Sequence, residues 1–208
     1  MLFAGWIDAH TMEAERFGRL IERIDRLNSA DPNVENIGGS VRSREVVYSQ
    51  QLTRWVLKLS PQATEPLRIA ARGQHVRRWT IPRSRYPMDR RGYLRWREAL
   101  KAMHIETVAE LMRDEGYPRE MIDRVRIIMS KRRIADDAES QTLEDALCLV
   151  FLETQLAELR RKTSDEKMKG IIQKTWQKMS AQARSEALKL PLPEEEQHYL
   201  RRALETGE

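Results

Sequence analysis

Four side chains in this sequence combine a reactive group with a place on, or at the end of, an inward-facing helical stripe: Glu45, His75, His104 and Asp145. His75 lies on the same side as Leu67, Ala70, Ala71 and Gln74, on a helix that Thr64 and Pro66 are suited to start. His104 is four residues from both Leu100 and Val108. Glu45 stands three residues before Tyr48 and seven before Leu52, at the end of an apolar stripe. Glu144 and Asp145 interrupt TLEDALCLVFLETQLAEL, which is otherwise apolar nearly all round, and carboxylates rarely go inside without a partner. Two imidazoles with one or two carboxylates suit a divalent metal such as zinc, manganese or iron, with His75, His104 and Asp145 as the expected ligands. Glu45, His75 and Asp145 are the expected catalytic groups. The competing reading makes each histidine a hydrogen-bonded core residue and Asp145 an internal cap or ion-pair partner.

The second feature is charge. Between residues 72 and 97 nine arginines face a single acid, Asp89, so this segment alone carries +8 against +5 for all 208 residues. No lysine occurs in it, and arginine favours forked recognition of phosphate or carboxylate oxygens. Arg72, Arg77, Arg78 and Arg83 are nearest His75 and are the expected phosphate contacts. Trp79, Tyr86, Tyr93 and Trp96 interleave with the arginines, a pattern that also suits stacking on RNA bases, although Tyr93 and Trp96 fall on the inner register of their helix. A solvated basic face, ion-paired in part to the acidic C-terminal third, accounts for the same residues without a ligand.

The elements that must position these groups read as helices throughout, with no convincing strand alternation. One stripe runs through Phe17, Leu20, Ile21, Ile24 and Leu27, and NSADPNVENIGGS then breaks it with Pro32, Gly38 and Gly39. Helices are expected over about residues 43–59, from Thr64 through His75, and over about residues 90–114, the last two separated by the irregular TIPRSRYP. Tyr93, Trp96, Leu100, Met103, Thr107, Val108 and Leu111 are read as the inner face of the third of these. A further helix carries Met121, Ile122, Val125, Ile128 and Met129, TLEDALCLVFLETQLAEL forms the central helix, and two amphipathic helices close the chain. The class is all-α: a single-domain helical bundle over residues 15–208 after an N-terminal extension of residues 1–14. The longest apolar run, ALCLVFL, has seven residues, and MLFAGWI lacks a basic leader, so a soluble cytoplasmic protein without a membrane partner is expected. The lone Cys148 permits no disulfide within one chain. Oligomeric state is left open.

Two resemblances follow from longer blocks. LIERIDRLNSADPN, YSQQLTRWVLKLSP, IAARGQHVRRWTIPRSRYP, GYLRWREAL, QTLEDALCLVFLE and KTWQKMS, in that order, resemble the uncharacterised family called domain of unknown function 4202. That resemblance implies an all-helical domain and no activity. More distantly, REVVYSQQLTRWVLKLS, EPLRIAARGQH, HIETVAELMRDEGYPREMIDRVRIIM and LEDALCLVFLE follow the helix order of the HD-type metal-dependent phosphohydrolases. That likeness implies an HD-domain-like bundle in which Tyr48 stands for the first histidine and Gln74 and His75 for the His-Asp pair. His104 then stands for an accessory histidine and Asp145 for the late aspartate. Tyrosine and glutamine are poor ligands, so either Glu45 and His75 rebuild the site or the scaffold has lost its metal. IIMSKRR is similar to the signature loop of class I aminoacyl-tRNA synthetases, but neither its companion histidine motif nor a parallel-sheet pattern accompanies it.

The functional expectation is an HD-like metal-dependent phosphohydrolase acting on a nucleotide or other phosphorylated small molecule. The alternative is a non-catalytic basic module that binds RNA or an acidic partner.

Overall fold

The computed structural model describes residues 2–131 and 136–205, the side chains of residues 2–10 excepted. Among these residues the chain is all-α apart from one small hairpin. Helix α1 (Leu2–Ser29) runs unbroken through the segment expected as an extension, and buries Leu20 and Ile24 completely. Strands β1 (Val34–Ile37) and β2 (Ser40–Ser43) pair antiparallel across Gly38 and Gly39, whose φ values of 59° and 85° supply the doubly left-handed turn that a two-residue hairpin needs. The sequence pattern of this segment predicts only a helix break. Strands of four mostly exposed residues carry too little alternation to register.

Helix α2 (Arg44–Leu59) turns Leu52, Trp55, Val56 and Leu59 inward, as its stripe predicts. Helix α3 (Glu65–Gly73) starts at Thr64, whose hydroxyl accepts from the Leu67 amide, with Pro66 in the first turn. It ends at Gly73, two residues short of the expected His75. A Cβ at position 73 would stand 2.3 Å from Val108 Cγ2, so glycine at this end lets α3 approach helix α4 (Arg90–Asp114) closely. Along α4, Leu100, His104, Val108, Leu111 and Met112 are buried, but its first turns project past the bundle. Tyr93 is exposed and Trp96 only half-buried, which corrects their expected place in the core.

Helix α5 (Arg119–Ser130) buries Ile122, Val125, Ile128 and Met129. Helix α6 (Ala138–Thr154) is the central helix, in contact with α2, α3, α5 and the C-terminal helices. Its cap, Asp137, accepts from the Glu139 and Ser140 amides and is held by Arg124. The expected long helix breaks at Gln155, and α7 (Leu156–Arg161) continues from there. No glycine or proline marks the break, so the apolar pattern ran through it. Helices α8 (Asp165–Lys178), α9 (Ala181–Ala187) and α10 (Glu194–Glu205) complete the chain. The seven-residue α9 was not expected. Cys148 is buried with its thiol pushed up to about 12, largely by desolvation, as suits a packed thiol rather than a reactive one. Among the described residues no helix is long and apolar enough to cross a membrane.

The α3–α4 approach yields a direct expectation. Gly73→Ala should cost about 1–3 kcal/mol through overpacking, read as a lower urea midpoint. Adding Val108→Ala should recover part of that loss, so that the double variant is more stable than the sum of the singles.

Candidate functional site

Past Gly73 the chain must leave α3 and reach α4 across Gln74–Asp89, a stretch fixed at three points. Val76 is fully buried, and its carbonyl meets His104 Nδ1 at 2.7 Å. The Arg77 amide donates to Asn28 Oδ1 of α1 at 3.2 Å, with Arg77 itself left-handed at φ 57°. Arg83 donates to the carbonyls of Tyr86 and Asp89, and Trp96 Nε1 donates to Ile81 O. The result leaves His75 between α2 and α4.

Glu45 comes to the same place from the start of α2. Its amide donates to Asp31 Oδ2, and Asp31 also accepts from the Asn33 amide and side chain, so one buried aspartate fastens the hairpin base to α2. Glu45 Oε2 lies 3.6 Å from His75 Nδ1, and Oε1 lies 4.0 Å from Arg78 Nε. Tyr48, one turn on, stacks flat on His75 with ring centres 4.1 Å apart and planes 9° apart. On the other side the His75 and His104 rings are 5.8 Å apart. The Arg78 guanidinium sits 4.9 Å above the Trp96 ring.

Two cavities share His75 and Arg78 in their walls. The first, about 370 Å³, is cationic: Arg78, Arg97, Lys101, Lys131 and Lys178 face two carboxylates, Glu98 and Glu144. Glu98 is held by Lys101, and Glu144 by Lys131 at 3.1 Å and Lys178 at 3.4 Å. The second, about 410 Å³, is mixed, with Glu35, Glu45 and Glu158 balancing Arg44, Arg78 and Lys162. Among the described residues six buried side-chain atoms lack a hydrogen-bond partner, and three of them, Glu45 Oε2, Gln74 Oε1 and His104 Nε2, belong to residues lining these cavities. Buried polar atoms are nearly always satisfied, so unmet hydrogen-bonding capacity is concentrated beside these cavities. The two non-glycine residues with positive φ among the described residues, Arg77 and Lys131, border the same region. Strain of this kind collects at functional sites.

The electrostatics follow from burial. Desolvation pushes the Glu45 carboxyl up to about 7 despite the pull of Arg78. Desolvation, reinforced by Arg78, holds His75 well below 6.5, and desolvation lowers His104 to about 4 against the bond it donates to Val76 O. Both imidazoles are therefore neutral near pH 7. Because a carbonyl can only accept, His104 Nδ1 carries the proton and Nε2 offers its lone pair. Burial works to raise Glu144, but Lys131 and Lys178 hold it below its ordinary value.

The chain matches the model of the family described as a domain of unknown function, DUF4202, over residues 18–199. It belongs to the DUF4202 family. No curated protein and no solved structure matches it. The likeness to HD-type phosphohydrolases therefore rests on the order of the sequence blocks.

Of the residues expected at the site of this DUF4202 chain, the fold brings together Glu45, His75, His104 and Arg78. Asp145 is elsewhere: its Oδ1 accepts from Gln141 Nε2 and from the Ser180 amide, both at 2.8 Å, tying α6 to the start of α9. It lines neither cavity, whereas its neighbour Glu144 lines the cationic one. The expected metal seat of His75, His104 and Asp145 is thus not assembled. Among the described residues no three His, Cys, Asp or Glu side chains are grouped to hold an ion. Three of the expected phosphate contacts lie outside both cavities. Arg72 forms a two-pronged pair with Asp25 of α1, Arg83 braces its own loop, and Arg77 is exposed and lines neither cavity. Sequence reasoning missed Lys131 and Lys178, which nothing in their local pattern distinguishes. It flagged Glu144 but chose the adjacent carboxylate.

The pH dependence of folding tests this electrostatic picture. With Glu45 raised from 4.5 to about 7, the folded chain holds that proton more firmly than the unfolded chain does. Its stabilising contribution is complete below about pH 4.5 and is lost as pH rises through about 7. The two histidines act the other way, since values held below 6.5 weaken the fold as pH falls below 6.5. Glu45→Gln should therefore gain on the wild type between pH 4.5 and 7, by up to about 3 kcal/mol. Urea midpoints at a series of pH values give the difference, and a gap independent of pH would contradict the raised carboxyl.

Proposed function

We propose that the cationic cavity binds the phosphate of a small phosphorylated molecule, nucleotide or otherwise, and that His104, His75 and Glu45 hydrolyse its ester bond. The observation that carries this reading is the set of unpartnered buried atoms beside a cavity walled by five cations. A phosphoryl group in flight asks little of a base and much of its charged surroundings, because its transition state is loose and its charge spreads over three oxygens. Arg78, Arg97 and Lys131 supply that compensation. Water attacks phosphorus as the bond to the leaving oxygen breaks. His104 Nε2 takes the water proton, and the Glu45 carboxyl, partly protonated at neutral pH, gives its proton to the leaving oxygen. His75, lying between the two, takes the water proton from His104 and returns one to Glu45, so both groups end as they began. The products are an alcohol and inorganic phosphate.

The test is a phosphatase screen of the full chain with para-nitrophenyl phosphate and a panel of natural monoesters. His104→Ala and Glu45→Gln should each lower kcat by about 10²–10⁴-fold, while Lys131→Ala mainly raises KM. Asp145→Ala should lower the melting temperature and leave kcat unchanged, and EDTA should not reduce turnover. Wild-type inactivity on every ester, or equal activity in His104→Ala, would overturn the reading.

A second reading draws on the exposed arginines outside the cavities, Arg85, Arg90, Arg91 and Arg95, beside the exposed Tyr93. These suit a polyanion such as RNA or an acidic partner. Affinity for oligonucleotides that falls steeply with salt and exceeds affinity for mononucleotides would favour it.

A further inference from the structure

We propose that the two cavities are the two ends of one substrate site, and that the phosphorylated substrate is a sugar or polyol phosphate rather than a nucleotide. This deepens the phosphohydrolase reading and rests on it. His75 and Arg78 belong to the walls of both cavities, so a molecule whose phosphate fills the cationic side passes the Glu45–His75 pair before entering the mixed side. That order puts the scissile oxygen beside the group that protonates it and the remainder of the molecule in the mixed cavity. Both volumes fall in the range of small-molecule sites, roughly 300–1,000 Å³.

The lining of the mixed cavity decides what that remainder is. A nucleobase is recognised by an open aromatic face or an apolar slot. Here, among the described residues, Tyr48 is the one aromatic ring on the wall besides His75, and these two rings are already stacked on each other. Leu159 is the one aliphatic side chain of the lining. What the wall offers instead is hydrogen bonding in both senses: the amides of Gln51 and Gln155, the carboxylates of Glu35 and Glu158, and the cations Arg44 and Lys162. Charges there balance in number, Glu35, Glu45 and Glu158 against Arg44, Arg78 and Lys162, with Glu158 bonded by Lys162 and close to Arg44, so the cavity has no net positive charge to draw a second phosphate. Uncharged hydroxyl groups, each both donor and acceptor, match such a wall. Exposed Gln155 at the α6–α7 break and half-buried Gln51 on α2 approach the cavity from opposite elements, a suitable pair for reading several hydroxyls at once.

Calorimetric titration of the full chain separates the possibilities. The probes are inorganic phosphate, adenosine monophosphate, ribose 5-phosphate, glucose 6-phosphate, fructose 6-phosphate and glycerol 3-phosphate. At least one of the last four should bind about tenfold or more tightly than both inorganic phosphate and adenosine monophosphate, a difference of about 1.4 kcal/mol. Gln51→Ala and Gln155→Ala should each remove most of that advantage without changing the affinity for inorganic phosphate, whereas Lys131→Ala should weaken all probes together. Adenosine monophosphate binding as tightly as every sugar phosphate, or glutamine variants that keep the full advantage, would overturn the assignment and leave the phosphate site standing. Failure of all six probes to bind would overturn the phosphate site itself, and the assignment with it.

Discussion

One hydrogen bond organises the region on which the functional account depends: His104 Nδ1 to the carbonyl of Val76. It joins the middle of α4 to the first residues beyond α3, where the chain would otherwise be an irregular connection over the surface. With Val76 buried beneath it, His75 and Arg78 on either side are held against α2 and α4. The same bond fixes the His104 tautomer, because the acceptor is a carbonyl, and so leaves a lone pair on Nε2. A structural contact and a reactive atom are thus two ends of one ring.

The second constraint is the distribution of charge. Arginines that the sequence concentrates in one segment do three different jobs in the fold. Arg72 links α3 to α1, Arg83 closes its own loop, and Arg78 lies over Trp96 within reach of Glu45. The cationic cavity draws its remaining positive charge from Lys131 and Lys178, far along the chain, which also hold Glu144 ionised. Burial meanwhile keeps the imidazoles neutral and the Glu45 carboxyl easily protonated. Neutral proton carriers beside fixed cations are what hydrolysis of an anionic ester requires, since charged imidazoles would add nothing that the arginines and lysines do not already supply.

The all-α class, most helices and the convergence of Glu45, His75 and His104 were legible because each rests on a helical repeat or on a proline or glycine stop. The features that escaped notice are those in which tertiary contact overrides pattern. Gly73 is needed at the end of α3 because Val108 would crowd any Cβ there, a fact about α4 rather than about the α3 sequence. The hairpin was hidden by its brevity, and α6 breaks at Gln155 with no residue type to announce it. Asp145 and Glu144 are neighbours about 100° apart on one helix, so choosing between them required knowing which helices flank α6. Lys131 reaches Glu144 from a left-handed position that ends α5, and no sequence rule assigns that conformation to lysine.

The central claim is that His75 and His104 are neutral imidazoles held at a phosphate-binding cavity, and long-range ¹H–¹⁵N spectra of the imidazole nitrogens test it most directly. The account predicts that His75 titrates well below 6.5, that His104, lowered to about 4, is neutral near pH 7 with its proton on Nδ1, and that inorganic phosphate shifts the resonances of both. Rings that titrate near 6.5 and ignore phosphate would contradict it.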